Sequence, residues 1–220
     1  MKVRLTKLIG LGVALGVGLS TNAQAAFKVE ILDGVGSPDS FIIEDNGSND
    51  VISDVGAIGF LGSASGWVFE IVGTTSKPLL GSETNPYMHW NLAATGTGTI
   101  TFKVTDTDFT GPLGDITLLS DTGGSGTGTG NFDLYLDNTN AEFGTGTLLG
   151  SAGYSELNAY DVTTTGPAFS ITGVATFTHD TFGSSSVDWT VKVPEPATLA
   201  LLGAGLIGIG FAGRRRNKKA

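Results

Sequence analysis

Twenty of this chain's carboxylates lie between Ala26 and Val193, and several are spaced as reactions would need them. Asp106 and Asp108 sit two apart at the end of an alternating segment, and Asp133 and Asp137 repeat the theme. Such pairs suit glycoside hydrolysis, where one carboxyl donates a proton and the other acts as base or nucleophile. In so acidic a segment they also arise as solvated strand ends. The chain has only two histidines, His89 and His179, each alone, whereas zinc takes three or four ligands at close spacing. Gly62-Ser63-Ala64-Ser65-Gly66 resembles a nucleophile elbow but sets its serines one position off.

Two stretches offer hard oxygen ligands for calcium: Glu44-Asp45-Asn46-Gly47-Ser48-Asn49-Asp50 and Asp137-Asn138-Thr139-Asn140. Neither has EF-hand spacing, and the same residue types build ordinary turns. Tyr87-Met88-His89-Trp90 is the aromatic group best placed for a carbohydrate platform, although core or edge packing accounts for it as well. Trp67 and Trp189 fall in phase with core positions. No catalytic residue, bound cofactor or metal ligand is assigned, calcium being the one candidate ion. The expectation is a non-enzymatic protein. The alternatives are a calcium- or glycan-binding adhesion module and a secreted polysaccharide hydrolase or lyase.

The elements that must position these residues read as strands. Trp67, Phe69 and Ile71 alternate with polar or outward residues, as do Ile100, Phe102 and Val104. Phe132, Leu134 and Leu136 repeat the pattern, and so do Val187, Trp189, Val191 and Val193. Shorter candidates are 27–32, 41–44, 58–60, 88–92, 115–119 and 169–177. No amphipathic helix occurs between residues 26 and 193. Nine to eleven short strands with Gly, Asn, Asp and Pro between them predict an all-β fold, an antiparallel β-sandwich of jelly-roll-like kind, with a closed barrel as second choice. Thr122–Gly130 and, more mildly, Gly144–Gly153 read as flexible loops by composition. No Lys-Ser/Thr follows either, so neither is a phosphate-binding loop.

Charge and cysteine content narrow the function further. Ala26 to Val193 spans 168 residues, the length of one domain. It holds four lysines against twenty acids, a net charge of −16, whereas the whole chain carries −9. Such a surface repels nucleic acid and anionic lipid. The chain has no cysteine, which excludes disulfides and thiolate chemistry.

The missing positive charge lies at the two ends. Lys2, Arg4 and Lys7 precede an apolar run from Leu8 to Leu19 and a small-x-small site, Ala23-Gln24-Ala25. This is the pattern of a secretory signal peptide over residues 1–25, cleaved between Ala25 and Ala26. At the other end, Pro194-Glu195-Pro196 precedes an uncharged run of 17 residues, Ala197–Gly213. As a helix that run would extend roughly 26 Å, a marginal transmembrane span. Arg214, Arg215 and Arg216 follow it, and Lys218 and Lys219 complete a basic tail. Basic residues favour the cytoplasmic side, so both ends point inward and the domain between them faces out.

Val193-Pro194-Glu195-Pro196-Ala197-Thr198, the Leu/Gly-rich run and the arginine cluster together resemble the PEP-CTERM proteins, exported exosortase substrates of Gram-negative bacteria. The resemblance covers about the last 28 residues and the signal peptide that accompanies them. It implies secretion machinery and an exosortase as partners, with membrane attachment through the C-terminal helix before processing. It also implies a final place in the envelope, cell surface or extracellular matrix, associated with exopolysaccharide and biofilm. Residues 194–220 are then the sorting signal, and the domain of residues 26–193 inherits no activity from it.

Overall fold

The computed structural model describes residues 26–32 and 41–194. The signal segment with Ala25, and Glu195, Pro196, the apolar run and Arg214–Arg216, lie outside the described residues. Among those described, all regular structure is strand, and no helix long and apolar enough to cross a membrane occurs.

Ten strands follow in order: β1 Lys28–Leu32, β2 Phe41–Glu44, β3 Ala57–Ala64, β4 Trp67–Thr75, β5 Tyr87–Phe109, β6 Gly114–Gly126, β7 Thr129–Asp137, β8 Thr147–Ala152, β9 Glu156–Thr164 and β10 Phe169–Lys192. Every pairing is antiparallel. The expected number of strands is met, but two are not short: β5 has 23 residues and β10 has 24.

These two long strands pair with each other along their length and organise the rest. The later part of β5 and the earlier part of β10 carry β1 with β2 on one side and β7 with β8 on the other. Their opposite ends carry β4 with β3, and β6 with β9. Between the two halves the register shifts from His179–Gly98 to Gly183–Gly96, so β10 bulges and the sheet bends. The bend brings inward faces together. Phe69 of one half meets Phe102 of the other edge-on at 6.0 Å, and Phe132 meets Trp189 at 5.7 Å.

Alternation decides which residues reach that interior. On β4, Trp67, Phe69 and Ile71 are buried while Val68, Glu70 and Val72 are exposed. On the outward face of the β5–β10 pair, threonines stand opposite one another. Hydroxyls bond across the strands at Thr99–Thr178, Thr101–Thr176 and Thr105–Thr172, 3.0 to 3.1 Å apart. Such pairs are a unit of sheet stabilisation, which accounts for part of the threonine content.

The two expected flexible loops are strands. Thr122–Gly126 belongs to β6, which pairs with β10, and β7 begins at Thr129. The glycines there make room for Tyr154, whose ring would lie 2.9 Å from a Cβ at Gly124 and 2.5 Å from one at Gly130. Likewise Thr147–Ala152 is β8, with Gly144 against the Asp137 carboxylate and Gly150 against the Tyr160 ring. Close approach, not mobility, is what these glycines serve.

Candidate functional site

The residues with apparent chemical spacing are each occupied in the fold. Asp106 and Asp108 do not form a pair. Asp106 is fully buried and bonded to Lys77 and Ser76, whereas Asp108 has a left-handed backbone (φ 60°) and exchanges hydrogen bonds with Asn140. Asp133 accepts from Ser151, and Asp137 accepts from the Thr139 amide and hydroxyl. The serine pentad 62–66 is the β3–β4 hairpin. Its turn residues Ser65 and Gly66 both have positive φ, as a two-residue turn of type I′ requires.

The two histidines are also separate. His89 lies 3.0 Å from Asp188 on the neighbouring strand, at the surface. His179 is buried at the bend, its ring 5.0 Å from that of Trp67. Its Nδ1 lies 3.1 Å from the Gly96 carbonyl oxygen, which can only accept, so Nδ1 carries the proton. Nε2 lies 2.7 Å from the Ser185 hydroxyl oxygen. His179 thereby ties the two long strands where their register slips.

In the acidic stretch 44–50, Asp45 and Asp50 turn their carboxylates onto nearby backbone amides. Asp50 accepts from the amides of Asn46, Ile52 and Gly59, and Asp45 from Gly56. Burial raises the Asp45 carboxyl above the usual carboxylate range, the Gly56 amide opposing it. No group of three or more His, Asp or Glu residues is gathered in a metal-holding arrangement among the described residues. The tryptophans are equally committed. Trp67, Trp90 and Trp189 are at most 1% exposed, and Trp90 meets Trp189 edge-on at 4.4 Å. Met88 and Trp90 are buried while Tyr87 and His89 are half-buried, so within Tyr87–Trp90 the tryptophan is a packing residue.

One site remains, at the end of β10. Lys192 is the last residue of the strand and faces Tyr87 on β5 and Leu119 on β6. Its ammonium sits 5.6 Å from the centre of the Tyr87 ring. Val193 continues the ladder by one bond, its amide donating to the Pro86 carbonyl at 3.1 Å, and its side chain packs on the core. Pro194 is half-buried and, having no N–H, cannot extend the pairing. Among the described residues, the pairing of the sheet ends at Val193, directly before Pro194.

Residues 192–216 match the sequence model of the PEP-CTERM protein-sorting motif. The chain carries that motif. It spans the Pro194-Glu195-Pro196 triplet, the apolar run and Arg214–Arg216, and its first three residues are the last described ones. No curated protein matches the chain. Among solved structures, TmCBM61 in complex with β-1,4-galactotriose is 9% identical, covering 60% of this chain and 92% of its own, with a TM-score of 0.33. E. coli ycfD is 9% identical, covering 84% of this chain and 46% of its own, with a TM-score of 0.18. Likeness at that level carries no argument about either fold or ligand. The sorting motif was legible in sequence because its signal is local; its seating on β10 was not, since that depends on Pro86, over a hundred residues earlier.

Proposed function

We propose that this chain is an exported, non-enzymatic protein of the cell envelope or extracellular matrix, processed by an exosortase through its PEP-CTERM motif. Residues 1–25 are its export signal, residues 26–193 its cargo domain and residues 194–220 its sorting signal. The cargo's doubled sheet is read as a jelly-roll-like β-sandwich. Residues 197–213 hold the precursor in the membrane until the motif is processed, and the product joins an exopolysaccharide-rich matrix. The observation that carries this reading is the motif match over residues 192–216, which begins where the ladder of β10 ends. Pro194, having no N–H, cannot extend the β10 ladder, so the last pairing described falls at the motif's first residues. The non-enzymatic part rests on the structural engagement of the carboxylates and histidines described above.

Replacing Pro194, Glu195 and Pro196 with alanine in the native host tests the route. Pulse-labelled cells should accumulate full-length precursor in the membrane fraction. Processing and release at the unsubstituted rate would sink the proposal.

A further inference from the structure

Lys77 and Asp106 form the most deeply buried charged pair among the described residues, and none of the functions above uses it. Lys77 follows β4 in the chain, and Asp106 lies on β5. The Lys77 and Asp106 side chains are 5% and 0% exposed, with Nζ and Oδ2 2.9 Å apart. Three further contacts fix the geometry. The Ser76 hydroxyl donates to Oδ2 at 2.5 Å, Nζ donates to the Thr107 carbonyl oxygen, and Nζ lies 3.8 Å from the centre of the Phe109 ring. The other carboxyl oxygen, Oδ1, is buried without a hydrogen-bonding partner.

We propose that Lys77 and Asp106 condense to an intramolecular amide that covalently ties the segment after β4 to β5. In water an amine and a carboxylic acid resist condensation because both ionise. A dry interior removes that obstacle, since an ion pair there is costly relative to its neutral form. Desolvation raises the Asp106 carboxyl above its ordinary range, with Lys77 and Ser76 opposing it, which eases proton transfer to it. Fixed contact then replaces a bimolecular encounter, for which well-oriented groups reach effective molarities of about 10⁵–10⁸ M.

The step balances without any added reagent. A proton first moves from Nζ to the carboxylate, leaving a neutral amine and acid. Nζ attacks Cγ, the Nζ–Cγ bond forms, and the Cγ–Oδ2 bond breaks. Oδ2 departs as water with the acid proton and one proton from nitrogen; nothing is oxidised or reduced. The Ser76 hydroxyl holds Oδ2, the oxygen that leaves as water, in place. The amide nitrogen keeps one proton, the one needed to go on donating to the Thr107 carbonyl. The unpartnered Oδ1 becomes an amide oxygen, less costly to bury unpaired than a carboxylate oxygen. In a chain without cysteine, this bond would do in an oxidising setting what a disulfide does elsewhere.

Mass spectrometry on the purified, monodisperse full chain tests this, with both termini identified by peptide mapping. The expected mass is lower than the sequence mass by one water, with a branched peptide joining the Lys77 and Asp106 segments. Lys77→Met and Asp106→Ala should each restore the full sequence mass. An unmodified wild-type mass overturns the proposal, as does a water loss mapped elsewhere or one that survives in the Lys77→Met chain.

Discussion

The amide of Val193 donates to the carbonyl of Pro86 at 3.1 Å, making Val193 the last residue that the sheet holds before Pro194. This bond and the side chain of Val193, packed on the core, place the last paired residue described within the first residues of the sorting motif.

Truncation makes that boundary measurable. A chain stopped after Pro194 should unfold in urea at the same midpoint as the full chain. One stopped after Asp188 loses Trp189, which is buried against Trp90 and Phe132 and donates to Ser120 at 2.8 Å. Deleting a buried aromatic alone costs about 3–5 kcal/mol, a large share of a domain's stability. That shorter chain should show no cooperative transition. Equal midpoints for the two truncations would remove the boundary from Pro194.

The glycine-rich stretch leading from β6 into β7 makes a second prediction. A Cβ on Gly130 would stand 2.5 Å from the Tyr154 ring, and that ring packs against Phe132 and Phe177. Gly130→Ala should destabilise by about 1–3 kcal/mol through overpacking. Combined with Tyr154→Ala, it should cost much less than the two single changes together. Additive urea midpoints would mean that the glycine serves the backbone and not the ring.

These cases mark how far the sequence could be read. Trp67, Phe69 and Ile71 announce their face because strand alternation is a property of adjacent residues. Gly124 and Gly130 gave the opposite impression, because the partner that requires them, Tyr154, lies far along the chain. The continuity of β5 and β10 was hidden for a related reason. Small residues near Gly96–Gly98 and Gly183 interrupt the apolar rhythm where the strands bend, so each long strand reads as separate short ones. Asp106 carried no local sign of Lys77, which approaches it from the segment after β4. The hydrogen-bonding partners that hold the candidate residues, such as Asn140, Ser151 and Ser185, are invisible to spacing.

Alkaline pH tests the electrostatics of the edge. Lys28 lies 2.9 Å from Glu44 and 3.0 Å from Glu142. The Glu44 hydrogen bond is the main cause raising the lysine above its ordinary range, burial opposes it, and Glu142 adds to the rise. A raised folded-state value means that the stabilisation is complete below the unfolded lysine value, about 10.4, and is lost as pH rises through the folded one. The stability gap between wild type and Lys28→Met should therefore stay constant from about pH 8 to 9 and close above about pH 10. A gap that persists at high pH would assign Lys28 a packing role instead.

The most direct measurement is the C-terminal residue of the protein released by its native host, read by mass spectrometry. Processing through the motif predicts a released chain that keeps β10 through Lys192 and lacks the apolar run and Arg214–Arg216. A released chain that still ends at Ala220 would contradict it.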